Sequence, residues 1–412
     1  MSGALTVSIV IVSRHRPDAL RRCLMGVSQL AYTPFEVIIV ADPASCAGLR
    51  SVPTAAHVKL LPFDQANISA ARNAGVGLAA GEIIAFIDDD AVPEPTWLDH
   101  LAAPFADPTV MAAGGFVRGR NGISWQSRAN SVDWTGQETP LDIPESSPTV
   151  LTPPTGRAIK TEGTNMALRH SALVALGGFD PSYRFFLDET DLNLRLAAHG
   201  WSTALVPLAQ VHHGYLESAR RRADRVPTDL TEIGASWGVF LTRHCPPDQV
   251  ASAWARVQTD ERARLLRHMV TGALEPRDVG RLMSELISGY ENGLKRKSAV
   301  PVPLPTTGHP FLLYPGSFKA PNKVFSGRIW ALGRLRRKAR LAVQTGHRAS
   351  LFSFSHTALY HRVRFTSDGV WEQTGGLFGR SVRDQKAFRL WTFRRRVDFE
   401  TERVAKVRSI TG

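Results

Sequence analysis

Two runs of acids carry the chemistry this sequence offers. The first closes Ile83-Ile84-Ala85-Phe86-Ile87-Asp88-Asp89-Asp90-Ala91-Val92-Pro93. Five apolar residues in a row predict a buried strand, and the proline ends it. Three adjacent carboxylates repel one another, so at a strand end they make sense chiefly around a cation. Carboxylate oxygens are hard ligands for Mg2+ or Mn2+, whose shell commonly includes substrate phosphates. The plainer reading is a solvated acidic turn. The second run, Asp188-Glu189-Thr190-Asp191, precedes Leu192, Leu196 and Trp201, which mark a helix. Acids in a first helical turn favour the helix dipole whether or not they do chemistry. His212 and His213 follow the strand-like Ala204-Leu205-Val206. Neighbours on a strand point opposite ways, so one at most can join a metal; the expectation is His212.

The elements that must position these residues follow from the hydrophobic pattern. Thr6 to Val12, Phe35 to Val40 and His57 to Leu61 read as strands. Asp18 to Leu30 and Asn67 to Ala80 read as the helices between them. Strands alternating with helices predict a mostly parallel α/β sheet, with ligands beyond the carboxyl ends of the strands. Ser13, Arg14, Asp42 and Asp88 to Asp90 all fall at such ends.

The chain has 412 residues, 43% of them hydrophobic, enough for two or three domains. No run approaches the roughly 18 apolar residues of a membrane span, and Leu5 to Val12 reads as a strand, not a leader. Three cysteines without paired spacing, Cys23, Cys46 and Cys245, suggest neither a disulfide framework nor a zinc site. They fit a reducing cytoplasm. The net charge of +13 is unevenly spread. Residues 321–412 hold 20 Lys and Arg against 6 Asp and Glu, a surplus of 14, which leaves −1 for residues 1–320.

Residues 6 to about 215 resemble a glycosyltransferase of family 2, the inverting transferases with a GT-A fold. The resemblance rests on motif order: Val7 to Ser13, Val37 to Asp42, Ala70-Ala71-Arg72-Asn73-Ala74-Gly75 and Phe86 to Asp90. Downstream come Gly163-Thr164-Asn165-Met166-Ala167, Gly177-Gly178-Phe179-Asp180 and Asp188 to Leu192. It implies a nucleotide-sugar donor and a Mn2+ or Mg2+ ion. Ser13, Arg14, Asp42, Arg72, Asp88 and Asp89 would then face the donor nucleotide, with Asp42 on the nucleobase. Asp90 would be the direct metal ligand, with Asp88 and His212. Glu189 would be the general base, with Asp188 as its rival, because the family order of acids is reversed here. Asn165, Asp191 and Trp125 would lie on the acceptor side, although Asp191 reads more readily as support for the helix start or for Arg195. A glycan or lipid-linked acceptor is implied, in surface polysaccharide or glycolipid synthesis.

The sequence divides into a GT-A domain over 1–226 and a helical extension over 227–298. A Pro-rich linker over 299–322 and a basic C-terminal α+β segment over 323–412 follow. Asp229 to Leu294 reads as three helices. Phe325 to Val343 reads as one basic amphipathic helix, fit for an anionic membrane surface or for packing on the body. A site on the cytoplasmic face of the cell membrane is therefore expected. Nucleic acid is not the expected partner, since no RNA or DNA module pattern occurs. The competing functions are an inactive transferase-like scaffold with a nucleic-acid-binding tail and a sugar nucleotidyltransferase. The latter ordinarily has a glycine-rich loop after its first strand, which Ser13-Arg14-His15-Arg16-Pro17 lacks.

Overall fold

The computed structural model describes residues 4–50, 54–214, 216–296, 304, 308–316 and 320–410. In the N-terminal half, β1 (Val7–Ser13), α1 (Pro17–Val27), β2 (Phe35–Ala41), α2 (Pro43–Leu49), β3 (Val58–Pro62), α3 (Ile68–Val76) and β4 (Ile83–Asp88) alternate as the pattern predicts. Then come β5 (Ala91–Pro93), α4 (Trp97–Ala102), β6 (Val110–Arg118) and β7 (Trp125–Ser127). Short strands β8 (Asn130–Asp133), β9 (Glu138–Pro140), β10 (Thr149–Leu151) and β11 (Arg157–Lys160) form the middle. The half closes with β12 (Met166–Arg169), α5 (His170–Ala175), α6 (Asp188–Ala198) and β13 (Ser202–His213).

The main sheet runs β3-β2-β1-β4-β12-β6-β13-β10, with β5 on β13 and β7 on β6. Only β12 and β10 run against the other six strands of that path. Strands buried on both faces need continuous apolar runs, and Val7, Ile9, Ile11, Val37 and Ile39 fill one face while Val10, Ile38 and Val40 fill the other. The register pairs Val12 with Asp88 and Ser13 with Ala41, so the polar ends of β1, β2 and β4 finish level. Because β12 is antiparallel, its start lies at that same edge, with Met166 opposite Phe86.

A small sheet, β11-β8-β9, stands beside the first turn of α6. The three helices expected over 229–294 are present as α7 (Thr231–His244), α8 (Val250–Val270) and α9 (Pro276–Lys295). Helices α7 and α9 approach so closely that a Cβ on Gly234 would fall 2.0 Å from the Leu286 carbonyl oxygen.

The C-terminal segment departs from its sequence reading. Strand β14 (Asn322–Arg328) takes up Phe325, and α10 starts only at Leu332 and ends at Gln344. With β15 (Arg348–Ser355), β16 (Arg362–Phe365), β17 (Val370–Gly376) and α11 (Phe393–Arg408) it builds a second sheet, β14-β15-β17-β16. Leu335, Ala339 and Val343 of α10 pack on Ala349, Leu351 and Val370. Of the two readings of this apolar face, packing on the body is the one found, against the protein's own second sheet. Nor does this segment hang free: Arg408 donates to both Glu94 oxygens at 2.8 and 3.0 Å, both residues buried. Arg348 donates to the Gln29 carbonyl at 2.7 Å, and the Val363 amide to the Asn121 carbonyl at 2.8 Å. The expected linker lies partly outside the described residues. Its described part runs along β2, with the Tyr314 amide on the Phe35 carbonyl at 2.9 Å. No helix among the described residues is long and apolar enough to cross a membrane.

Candidate active site

The end of β4 and the turn after it sort the first acidic run. Asp88 and Asp90 project with His213 so that one ligand atom from each lies within 4.8 Å of the others. His213 Nε2 is 3.0 Å from Asp90 Oδ1, while its Nδ1 meets Gln126 Oε1 at 2.9 Å. An Nδ1–H given to an amide oxygen leaves Nε2 to face an ion, the usual outer support of a metal-binding histidine. Two carboxylates and an imidazole suit Mn2+ or a similar ion. Asp90 also accepts the Leu216 amide at 2.8 Å, which draws the segment after β13 over the cluster.

His212 lies on the other side of the strand. Its Nε2 meets Glu94 at 2.8 Å and its ring lies 4.8 Å from that of Trp371. The expectation of His212 at the metal thus gives way to His213. The reason is register: β13 pairs His212 with Val92 and His213 with Ala91, and that sets which ring looks toward Asp90.

Asp89 is not part of that cluster and has partners of its own. It accepts the Ser13 hydroxyl at 2.7 Å and Arg16 Nη1 at 3.1 Å. Burial pushes its carboxyl up to about 7 against the pull of Arg16. Ser13 and Asp89 therefore hold the β1 and β4 ends together rather than offering free groups. Arg16, which the sequence reading missed, also stands 3.6 Å from Asp90. Arg14 is half-exposed and pairs with Asp64 at 2.8 Å. Asp42 caps α2, accepting the Ser45 amide and hydroxyl and the His15 amide. Burial works against its charge, but those hydrogen bonds hold it down to about 2.

Arg72, on α3, joins the two acidic runs. Its guanidinium is buried, hydrogen-bonded to Asp188 on one side and 3.3 Å from Asp88 Oδ1 on the other. It also donates to the Gly163 carbonyl at 3.1 Å. A methyl group on residue 163 would sit 2.6 Å from Arg72 Nη2, which accounts for glycine there.

The second run divides by helical rotation. Asp188 is taken by Arg72. Asp191 turns away from the cleft to Arg195 and His244, each at 2.8 Å, and to Arg243 at 3.3 Å. Of the two readings of Asp191, support for Arg195 is the one found rather than a place on the acceptor side, and through His244 and Arg243 it also ties α6 to α7. Glu189 is left with the loosest pairing of the three, Lys160 Nζ lying 3.8 Å away. Burial and the adjacent Asp188 push Glu189 up to about 7, against Lys160 and Arg72. Two left-handed residues, Phe186 at φ 71° and Leu187 at φ 64°, aim this turn. Side-chain-bearing residues rarely adopt that conformation, and such strain concentrates at functional sites.

Lys160 is the residue that sequence reasoning missed most completely. Burial disfavours its charge, but Glu162 at 2.9 Å, Glu138 at 3.5 Å and Glu189 keep it protonated. Nothing in Arg157-Ala158-Ile159-Lys160 marks the lysine as facing acids; a β11 register against β8 is needed to see it. Asn165 is likewise corrected. It is fully buried, donating to the Phe116 and Ala209 carbonyls at 2.9 Å each and accepting from Trp97 Nε1 at 2.7 Å. It ties β6, β13 and α4 together under the site and is closed to an acceptor. Trp125 is half-buried beside Gln126, with Arg118 stacked 3.8 Å from its ring.

A mostly parallel sheet whose β1, β2 and β4 end level, with Asp42 and Asp88 at two of those ends and a second acidic turn tied on by one arginine, has the architecture expected of the GT-A class. Residues 4–232 match the family described as Glycosyltransferase like family 2, and the chain belongs to that family. It is 30% identical over 245 residues to the O-antigen biosynthesis protein RfbC of Myxococcus xanthus, covering 55% of this chain and 18% of that protein. It is 26% identical over 294 residues to the pre-mycofactocin glycosyltransferase of Mycobacterium tuberculosis (strain ATCC 25618 / H37Rv), covering 67% of this chain and 58% of that one. The chain thus spans less than two thirds of either relative. Among solved structures, the mannosyltransferase PcManGT of Pyrobaculum calidifontis, in complex with GDP-Man and Mn2+, is 17% identical at a TM-score of 0.44, covering 71% of this chain and 88% of that one.

Proposed function

We propose that this chain transfers a sugar from a nucleotide-sugar donor to an acceptor hydroxyl, with a divalent ion and with inversion at the anomeric carbon. The observation that carries the reading is the Arg72 bridge, which sets a metal-ready pair, Asp88 and Asp90, beside a base-ready turn at Glu189. In this reading Asp42, at the end of β2, receives the nucleobase. A divalent ion held by Asp88, Asp90 and His213 would neutralise charge on the departing diphosphate. Glu189 takes the proton of the acceptor hydroxyl, whose oxygen bonds to the anomeric carbon as the bond to the diphosphate breaks. A carboxyl near pH 7 is suited to that task, because its charged form is available while it still binds a proton strongly. Asp188 holds Arg72, and Arg72 in turn fixes Asp88.

The relatives named for O-antigen biosynthesis and for a pre-mycofactocin glycosyltransferase support a role in assembling a glycan or glycoconjugate. With the apolar face of α10 occupied, membrane contact in this reading uses charge, through the exposed Arg334, Arg337 and Lys338. The test is turnover of a panel of nucleotide sugars with Mn2+, with Mg2+ and with EDTA. Metal-dependent consumption of a donor supports the reading. No consumption together with no metal-dependent binding of nucleoside diphosphates contradicts it.

A further inference from the structure

A cleft of about 740 Å³ opens between the family-matched half and the C-terminal unit. Asp90 and His213 form part of its wall, but among its lining residues are none of Ser13, Asp42, Arg72, Asp88 or Glu189. It therefore lies on the far side of the metal cluster from the turn that carries Glu189. Its other walls are basic: Arg22 on α1, Arg120 beyond β6, and Arg336, Arg362 and Arg364 from the C-terminal unit. The last three lie past residue 232, where the family match ends.

The charges in this cleft are not balanced from within. Arg336 and Arg364 both bond Glu372, a single carboxylate that is itself buried, at 2.6 to 2.9 Å. Asp368 is engaged by Arg340 at 3.0 Å and Asp18 by Arg21 at 3.4 Å. Asp90 is engaged by His213. Arg22, Arg120 and Arg362 have no carboxylate within ion-pair distance among the described residues. Five guanidinium groups stand against four carboxylates around this space, and the three without an ion pair among the described residues, Arg120 holding only the Ala223 carbonyl, match a ligand with more than one phosphate. The volume is in the range of small-molecule sites.

We propose that this cleft is a second anion site, built jointly by the two units, that takes a diphosphate group. Two sources share that chemistry: the diphosphate of a linked acceptor and a free nucleoside diphosphate. The proposal deepens the transferase reading by giving one substrate a charged handle beside the metal cluster, and its binding test stands without that reading.

The experiment titrates inorganic pyrophosphate into the full chain in EDTA, so that the carboxylate–histidine cluster holds no metal. The comparison is the double variant Arg22→Ala/Arg362→Ala, whose removed groups leave no carboxylate unpaired and so spare the fold. The expected result is binding by the wild type that weakens about tenfold or more in the double variant, at an unchanged melting temperature. Equal binding by both proteins, or no binding by the wild type, overturns the proposal. If the variant melts early, Arg120→Ala alone is used, with a smaller loss of binding expected and unchanged binding again decisive against the site. Displacement of pyrophosphate by a short-chain alkyl diphosphate but not by nucleoside diphosphates supports the linked-acceptor source; the reverse order supports the free-nucleotide source. Pyrophosphate binding in a chain that neither turns over a donor nor binds nucleoside diphosphates with a metal would leave this site standing and sink the transferase reading alone.

Discussion

Asp88-Asp89-Asp90 and Asp188-Glu189-Thr190-Asp191 are nearly the same in composition, yet the fold gives them different surroundings. At the end of β4 and the turn after it, Asp88 and Asp90 gather with His213 while Asp89 bonds Ser13 and Arg16. At a helix start each residue turns about 100°, and the three acids are sent to three different partners. The strand run comes out with charges gathered, next to a histidine and open to an ion. The helix run comes out with two acids neutralised by arginines or histidine and one, Glu189, held short of ionising. In the proposed reading the grouped carboxylates serve a cation, and the buried carboxylate with the loosest ion pair serves a proton.

That division can be broken most severely at the strand end. Asp90→Ala should lower donor turnover by about a thousandfold or more, with Mn2+ affinity falling in parallel by spin-resonance titration. Glu189→Gln should lower turnover by about 10²–10⁴-fold, the range of a lost general base, with Mn2+ affinity retained. Because its carboxyl is raised when folded, Glu189 favours the folded state below its unfolded pKa and loses that contribution as pH rises through about 7. Glu189→Gln should therefore melt no lower than the wild type at pH 8 by calorimetry, as expected for a group placed for chemistry.

Asp191→Ala tests the other fate of the helix run. Removing one partner of a buried charge network costs about 3–5 kcal/mol, to be read from denaturant unfolding. Lys160→Met is the finest probe. The wild-type rate should rise through about pH 7 as Glu189 loses its proton, and removing a cation that favours the charged form should move that rise to higher pH. An unmoved pH profile would separate Lys160 from the base.

Much of this was legible in the sequence, and the limits were physical. The β1, β2 and β4 runs are continuous because both faces are buried, so their ends and the acids on them could be placed from periodicity alone. Arg72 and Glu189 were reached through the order of motifs. What failed was anything decided by register or by distant packing. His212 and His213 are equivalent in sequence, and only the pairing with Val92 and Ala91 separates them. Asn165 and Asp191 sit inside motifs, but their partners, Trp97, Ala209 and His244, lie 44 to 68 residues away. The basic C-terminal residues read as a surface tail because charge was visible and the Glu94–Arg408 anchor, 314 residues apart, was not.

The contrast between the two acidic runs is tested most directly by separating binding from turnover. Metal-dependent affinity for the donor's nucleoside diphosphate and donor turnover would be measured side by side for the wild type, Asp90→Ala and Glu189→Gln. The account predicts that Asp90→Ala loses both, while Glu189→Gln keeps affinity within about twofold and loses turnover by about 10²-fold or more. Normal turnover by Glu189→Gln, or equal loss of affinity in both variants, would contradict it.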